Sequence, residues 1–372
     1  MLKIPGLRRI LTFSPVAICP LEPVAVLRHQ LRRCEVASWP AFGWRRLAVV
    51  ALLVPLACGS ATDAAPPASA AVRVELTTTL PRLDRARDGS YEAWLVDAGG
   101  ARHSLGRFDA GGALALTSRV AGARAVEVTL EPPGDVDATP ASQQLLRGTL
   151  RGGRAELGYA GAVTQNDLAL NDAPGQFTMF TPSDNAVLGY PSREEAGVWL
   201  FNMSPGETVQ KDYYVRLTQL QRGWTYEGWM VRDIAQAGAI WLSYGKFLPD
   251  WTGALNQADD TGWGPFSGVV DFTRARLEDY PGDDWVANPL GLPLPAGLTL
   301  PLNLRERDAQ GVLRWTHAIT IEPASDRGEP LTSERPSIMR PYVDLFGDRA
   351  PGVARKLTRR PEGVPRGTVV VR

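Results

Sequence analysis

Cysteine is scarce in this chain, and its placement excludes a class of folds. The three cysteines, Cys19, Cys34 and Cys58, all precede the motifs described below. A disulfide framework is therefore excluded from the body of the protein, which must be held by packing and backbone hydrogen bonds. Histidine is equally sparse: beyond Cys58 only His103 and His317 remain, which makes a histidine-based triad or metal site hard to build. The spacings Gly-x-Ser-x-Gly, His-Glu-x-x-His and the P-loop are missing,. No catalytic residue, metal or cofactor is expected.

Long apolar runs are also lacking. The stretch from Leu47 to Leu56 is far shorter than the ~20 residues that a membrane-crossing helix needs. Extended amphipathic periodicity is absent, which argues against a helical bundle. Charge of one sign is not in excess either, with 40 basic and 40 acidic residues. Residues 1–57 hold eight Lys/Arg and two Asp/Glu, however, and setting them aside leaves 32 basic against 38 acidic residues. An acidic body is a poor ligand for nucleic acid.

What the chain does have is an internal repeat. Ser90-Tyr91-Glu92-Ala93-Trp94-Leu95-Val96 returns as Thr225-Tyr226-Glu227-Gly228-Trp229-Met230-Val231. Each copy is followed by Gly106-Arg107-Phe108 or Gly245-Lys246-Phe247, and then by Val128-Thr129-Leu130-Glu131-Pro132 or Ile319-Thr320-Ile321-Glu322-Pro323. Ser337-Ile338-Met339-Arg340 echoes Gln144-Leu145-Leu146-Arg147.

Short stretches rich in Val, Thr, Tyr, Trp and Leu alternate with turns of Gly, Pro, Asp and Asn, so the protein is expected to be all-β, with two tandem β-sandwich-like domains. Strands are expected at Val72–Thr77, Tyr91–Val96, Ser104–Phe108, Ala113–Thr117, Ala123–Leu130 and Gln144–Leu150. In the second unit they are expected at Gln176–Phe180, Gly197–Phe201, Tyr214–Leu217 and Trp315–Ile319. Tyr91, Ala93 and Leu95 should share one face, with Glu92, Trp94 and Val96 on the other. The expected divisions are 1–57, 58–71, a first β domain at 72–160, a second and enlarged one at 161–343, and a basic tail at 344–372. That tail, solvated for most of its length, has room for a last strand at Thr368–Val371.

The N-terminal segment reads as an export signal. Trp44-Arg45-Arg46 precedes the apolar run, which closes on Ala57-Cys58-Gly59-Ser60,. A cysteine there resembles the lipobox of bacterial lipoproteins and makes Cys58 the expected lipidation site, although Pro55 departs from the Leu or Val of that pattern. Residues 58–71 would be a flexible tether. Residues 1–40 fit neither a signal nor a domain and are expected to be an upstream extension from a misplaced start. Gly59-Ser60 lacks the Asp that marks inner-membrane retention, so the expected location is the cell envelope, lipid-anchored, at the outer membrane or surface of a diderm cell.

The order Tyr-Glu-x-Trp-(Leu/Met)-Val, then Gly-(Arg/Lys)-Phe, then a strand ending Glu-Pro, resembles the C-terminal extracytoplasmic domain of anti-sigma-K factors. Residues 72–151 carry the likeness most completely, and residues 213–343 look like a diverged second copy. The resemblance implies an outer domain behind a membrane helix and a cytoplasmic sigma-binding segment. This sequence has neither in recognisable form, and the His-x3-Cys-x2-Cys spacing of zinc-type anti-sigma factors is missing, with His29 and Cys34 four residues apart. Direct sigma-factor binding is therefore not expected.

Tryptophan crowds the second unit. Trp94 and Trp229 hold the same repeat position and are expected in cores, whereas Trp251, Trp263 and Trp285 fall in an Asp-, Gly- and Pro-rich insertion at 248–292. There they either plug a small core or stack on a glycan or peptide, and they are the candidate ligand-binding residues. Acidic stretches in the same insertion, Asp259-Asp260 and Asp283-Asp284, lack the alternating spacing of calcium loops. As paired carboxylates they would suit a hydrolase. The expected function is a non-enzymatic envelope module for interaction or sensing, with the membrane and an envelope protein as partners. The alternative is a glycan- or cell-wall-binding module, and the hydrolase is a third reading.

Overall fold

The computed structural model describes residues 71–181, 195–200, 215–249, 255–257 (backbone only), 281–288, 291, 293–324, 335–345 and 350–372. Cys58, the tether, Trp251, Trp263, Asp259 and Asp260 lie outside them. The protein is all-β, and its described residues form four antiparallel sheets.

The first half contains β1 (Val72–Thr78), a one-turn helix (Arg85–Asp88), β2 (Ser90–Val96), β3 (Arg102–Phe108), β4 (Gly112–Ser118), β5 (Ala125–Glu131), β6 (Gln144–Thr149) and β7 (Arg154–Leu157). The second contains β8 (Gln176–Met179), β9 (Gly197–Trp199), β10 (Trp224–Arg232), β11 (Ile240–Pro249), β12 (Leu255–Gln257), β13 (Gly282–Asp284), β14 (Trp315–Pro323), β15 (Met339–Leu345), β16 (Arg355–Lys356) and β17 (Gly367–Val371). Tyr91, Ala93 and Leu95 enter the main core, while Glu92 and Trp94 are buried on the opposite face of β2. That division follows from the two-residue period of a strand.

Two sheets share one plan. One has the order β3-β2-β5-β6 and the other β12-β11-β10-β14-β15. In both, the Tyr-Glu-x-Trp strand lies centrally between the Gly-(Arg/Lys)-Phe strand and the strand ending in Glu-Pro. Both carry a bulge at the same place, between Ala93 and Trp94 and between Gly228 and Trp229. The extra residues are Leu105 and Tyr244, each followed by a glycine with positive φ, Gly106 at 113° and Gly245 at 108°. This backbone requirement explains the glycine of the Gly-(Arg/Lys)-Phe motif.

The sheet facing the first of these has the order β4-β1-β17-β7. Its third strand comes from the far end of the sequence: β17 pairs Val74 with Val371 and Thr78 with Gly367 on one side, and Gly367 with Leu157 on the other. The strand expected at Thr368–Val371 is present, while the expectation that the rest of the tail is solvated is corrected, since Arg355, Leu357 and Val364 are buried. Gly367–Val371 is an interior strand because both its edges find open backbone partners, which a solvated segment would leave to water.

Tyr214–Leu217, expected as a strand, is also corrected over its described residues. Val215 and Leu217 are buried, but the backbone here bonds to the 171–174 segment: Arg216 N donates to Pro174 O, and Asn171 Nδ2 to Arg216 O. One apolar cluster runs from Val74 to Val369, and a smaller one, around Trp229, Val231, Trp241 and Ala318, covers the outer face of the β10 sheet.

Candidate functional site: a repeated loop clamp

The polar residues of the repeated motif converge on the outer face of each central sheet. Glu92, on β2, accepts from Ser104 Oγ and from Arg107 Nε, the latter at 2.8 Å. Arg107 then reaches beyond the sheet: its guanidinium donates to the backbone O of Asp135, to Asp135 Oδ2 at 2.9 Å and to Asp137 O at 3.0 Å. Next to this, Trp94 Nε1 donates to Thr129 Oγ1 at 2.8 Å, Thr129 donates to Glu131, and Glu131 accepts from Ala141 N through both oxygens at 3.1 Å.

Arg107 therefore holds the middle of the loop 132–141 and Glu131 its far end. Glu92 and Glu131 are 4% and 0% exposed, so both buried carboxyl groups depend on the donors that converge on them. Burial pushes the Glu131 carboxyl above its ordinary range, against the opposing pull of Thr129 and Ala141. The hydrogen bond from Arg107 to Glu92 raises the guanidinium further. At the loop's outer edge, Val136 is 93% exposed.

The second half repeats these bonds. Trp229 Nε1 donates to Thr320 Oγ1 at 2.9 Å, Thr320 donates to Glu322, and Glu322 accepts from Ser337 N at 2.8 and 2.9 Å. Ser243 Oγ donates to Glu227 at 2.7 Å, as Ser104 does to Glu92. Both motif tyrosines tie back to an upstream carbonyl, Tyr91 to Pro81 at 3.0 Å and Tyr226 to Thr218 at 2.8 Å. Burial raises the pKa of both. The Glu of each Glu-Pro pair was visible in the sequence, but its role as a loop anchor depends on partners 10 and 15 residues further on.

The remaining chemical candidates fall elsewhere. Trp285 is fully buried in the main core, its backbone fastened to Ala196 and Leu302, and it presents no face for stacking. Asp283 and Asp284, on β13, are likewise buried. Trp251, Trp263, Asp259 and Asp260 are outside the described residues, so only one member of the tryptophan trio and one of the two acidic pairs are placed.

His317 is buried with Nε2 2.9 Å from Tyr244 Oη and its ring stacked on Phe177 at 4.1 Å. Desolvation lowers its pKa to about 3, which keeps the imidazole neutral and packed. His103 instead pairs with Asp97 at 2.9 Å on the β2–β3 turn. Among the described residues, no group of three or more His, Cys, Asp or Glu could hold a metal ion, and no described helix is long and apolar enough to cross a membrane. An open cleft of about 440 Å³ lies between Arg82, Leu83 and Arg87 on one side and Pro336, Ile338 and Val364 on the other.

No curated protein and no solved structure matches this chain. Residues 48–145 match the family model described as "Anti-sigma-K factor rskA, C-terminal", and their described part holds β1 to β5, the start of β6 and the whole of the first clamp.

Proposed function

We propose that this chain is a non-enzymatic, extracytoplasmic interaction or sensing module, built from two copies of the anti-sigma-K outer-domain unit and anchored to the cell envelope through a lipid on Cys58. The observation that carries the reading is the use made of the motif's charged residues. Glu92, Arg107 and Glu131 are consumed in holding the 132–141 loop, and Glu322 holds the corresponding segment at Ser337. Charge buried in this way stiffens a loop. A stiff loop on a rigid sheet is a suitable recognition element, since little ordering entropy is lost on binding.

The reading is tested in the native envelope. A photo-crosslinking amino acid at position 136 should give a discrete adduct with an envelope protein, and one at Val312, which is 60% exposed, should not. Arg107→Ala in the same background should abolish the adduct. No adduct at 136 from a folded, envelope-located protein, or equal labelling from both positions, would overturn the interaction reading. Anchoring is read separately by intact mass: acyl mass on a chain beginning at Cys58 supports it, and an unacylated protein with the same partition after Cys58→Ala refutes it.

A further inference from the structure

The β4-β1-β17-β7 and β3-β2-β5-β6 sheets end together at one pole. The start of β1 and the end of β17 are joined there by Arg73 N to Arg372 O and Arg372 N to Arg73 O, both 2.8 Å. Beside them lie the β4–β5 link, which begins after Ser118 opposite Val72, and the β6–β7 turn, where Gly153 O accepts from Val371 N. The start of β5 completes the pole, with Arg124 N donating to Val96 O and Arg124 O accepting from Leu150 N.

These segments are distant in sequence, and each brings arginine. Arg119, Arg124, Arg151 and Arg154 are all exposed, and no carboxylate pairs with any of them among the described residues. Most of the acidic groups nearby are already taken, and Glu156, exposed on β7, is the one left without an ion pair among the described residues. Glu75 lies 3.3 Å from both Arg73 and Arg372, Glu127 is held by Arg102 at 2.6 Å, and Asp97 by His103. Between the arginines the turns are small, Gly99-Gly100, Ala121-Gly122 and Gly152-Gly153, so the guanidinium groups can meet a flat surface together. This concentration occurs in a body whose overall charge is acidic.

We infer that this arginine pole docks on an anionic phospholipid surface and orients the protein upon it. The sequence ahead of β1 leaves from this pole, with 13 residues between Cys58 and Val72, so whatever holds residue 58 at a membrane brings these arginines within reach of lipid headgroups. Guanidinium groups form bidentate hydrogen bonds with phosphate, and each basic residue near an anionic leaflet adds attraction. The clamped 132–141 loop follows the other end of β5, so docking by this pole turns Val136 away from the membrane. The inference uses the envelope location proposed above but not acylation of Cys58.

The test uses the full chain carrying Cys58→Ala, which removes any acyl contribution, and compares it with the same chain also carrying Arg119→Gln, Arg124→Gln, Arg151→Gln and Arg154→Gln. Both are sedimented with phosphatidylcholine vesicles with and without 30% phosphatidylglycerol. The parent should bind the anionic vesicles selectively and release as salt rises toward 1 M, where the screening length falls to about 3 Å. The quadruple variant, with unchanged circular dichroism and melting temperature, should bind them roughly a thousandfold more weakly, at about 1 kcal/mol for each of the four arginines. Equal binding to neutral vesicles, no loss in the quadruple variant, or preference for duplex DNA over the anionic vesicles would overturn the inference. An unacylated native protein that still shows charge-selective binding would refute the lipid anchor and leave the pole standing.

Discussion

Trp94 and Thr129 meet diagonally across β2 and β5, indole N–H to hydroxyl at 2.8 Å, and both are about 1% exposed. Trp229 and Thr320 make the same contact in the second half at 2.9 Å. The hydroxyl also donates onward to the loop-anchoring glutamate in each case. Thr129→Val keeps the shape but strands a buried indole N–H and removes a donor from Glu131. A loss of about 1–3 kcal/mol is expected for each such unsatisfied group. Chemical denaturation of Thr129→Val and Thr320→Val should show similar losses, and amide exchange at Ala141 should accelerate in the first variant.

A second prediction concerns the bulge. A Cβ on Gly228 would meet the Tyr244 ring at 1.8 Å, whereas the first half places Ala93 and Leu105 at the corresponding positions. Gly228→Ala should destabilise by about 1–3 kcal/mol through overpacking. Adding Tyr244→Leu should recover part of that loss, and a double-mutant cycle on thermal unfolding reads the coupling. Independent, additive effects would refute the account of the bulge.

The pH dependence follows from two buried groups acting in opposite senses. His317 is neutral in the folded state, its pKa lowered to about 3 by desolvation, and it regains an ordinary value near 6.5 when unfolded. The unfolded chain thus binds the extra proton, so this contribution is present above about pH 6.5 and is lost as pH falls toward 3. Asp344, raised to about 6 by burial, favours the folded state when protonated, so its contribution is present below about pH 4 and is lost as pH rises through 6. The histidine shift is the larger of the two, so the contribution of this pair should fall between pH 6.5 and 4. In urea titrations across that range, His317→Gln should flatten the fall and Asp344→Asn should steepen it.

The final strand gives a fourth prediction. Deleting residues 367–372 removes the strand between β1 and β7 and uncovers Val74, Leu76 and Leu157, which are at most 3% exposed. Two open strand edges and an unroofed apolar face should produce aggregation or rapid proteolysis of the first half. A truncated protein with unchanged melting temperature would contradict this placement.

The repeat was legible in the sequence because its elements are local. A two-residue period set the faces of β2, and Trp94 and Trp229 recur at positions that demand burial. The clamp was only half legible. Glu-Pro stood out in both copies, but nothing in a linear reading couples Arg107 to Asp135, because that contact requires β2 and β5 to pair first. Val215 and Leu217 alternate as a strand should, yet Asn171 and Pro174 satisfy the backbone between them, a competition that side-chain patterning does not record.

The amino-acid sequence by itself determined the all-β class, the two matched motifs and their likeness to the anti-sigma-K outer domain, since each rests on neighbours within a few residues. Only the tertiary structure decided that the last strand closes the first sheet and that arginines from separate turns share one pole. Those relationships join residues up to about three hundred positions apart through backbone hydrogen bonds, which are alike for every side chain and leave no pattern in the sequence.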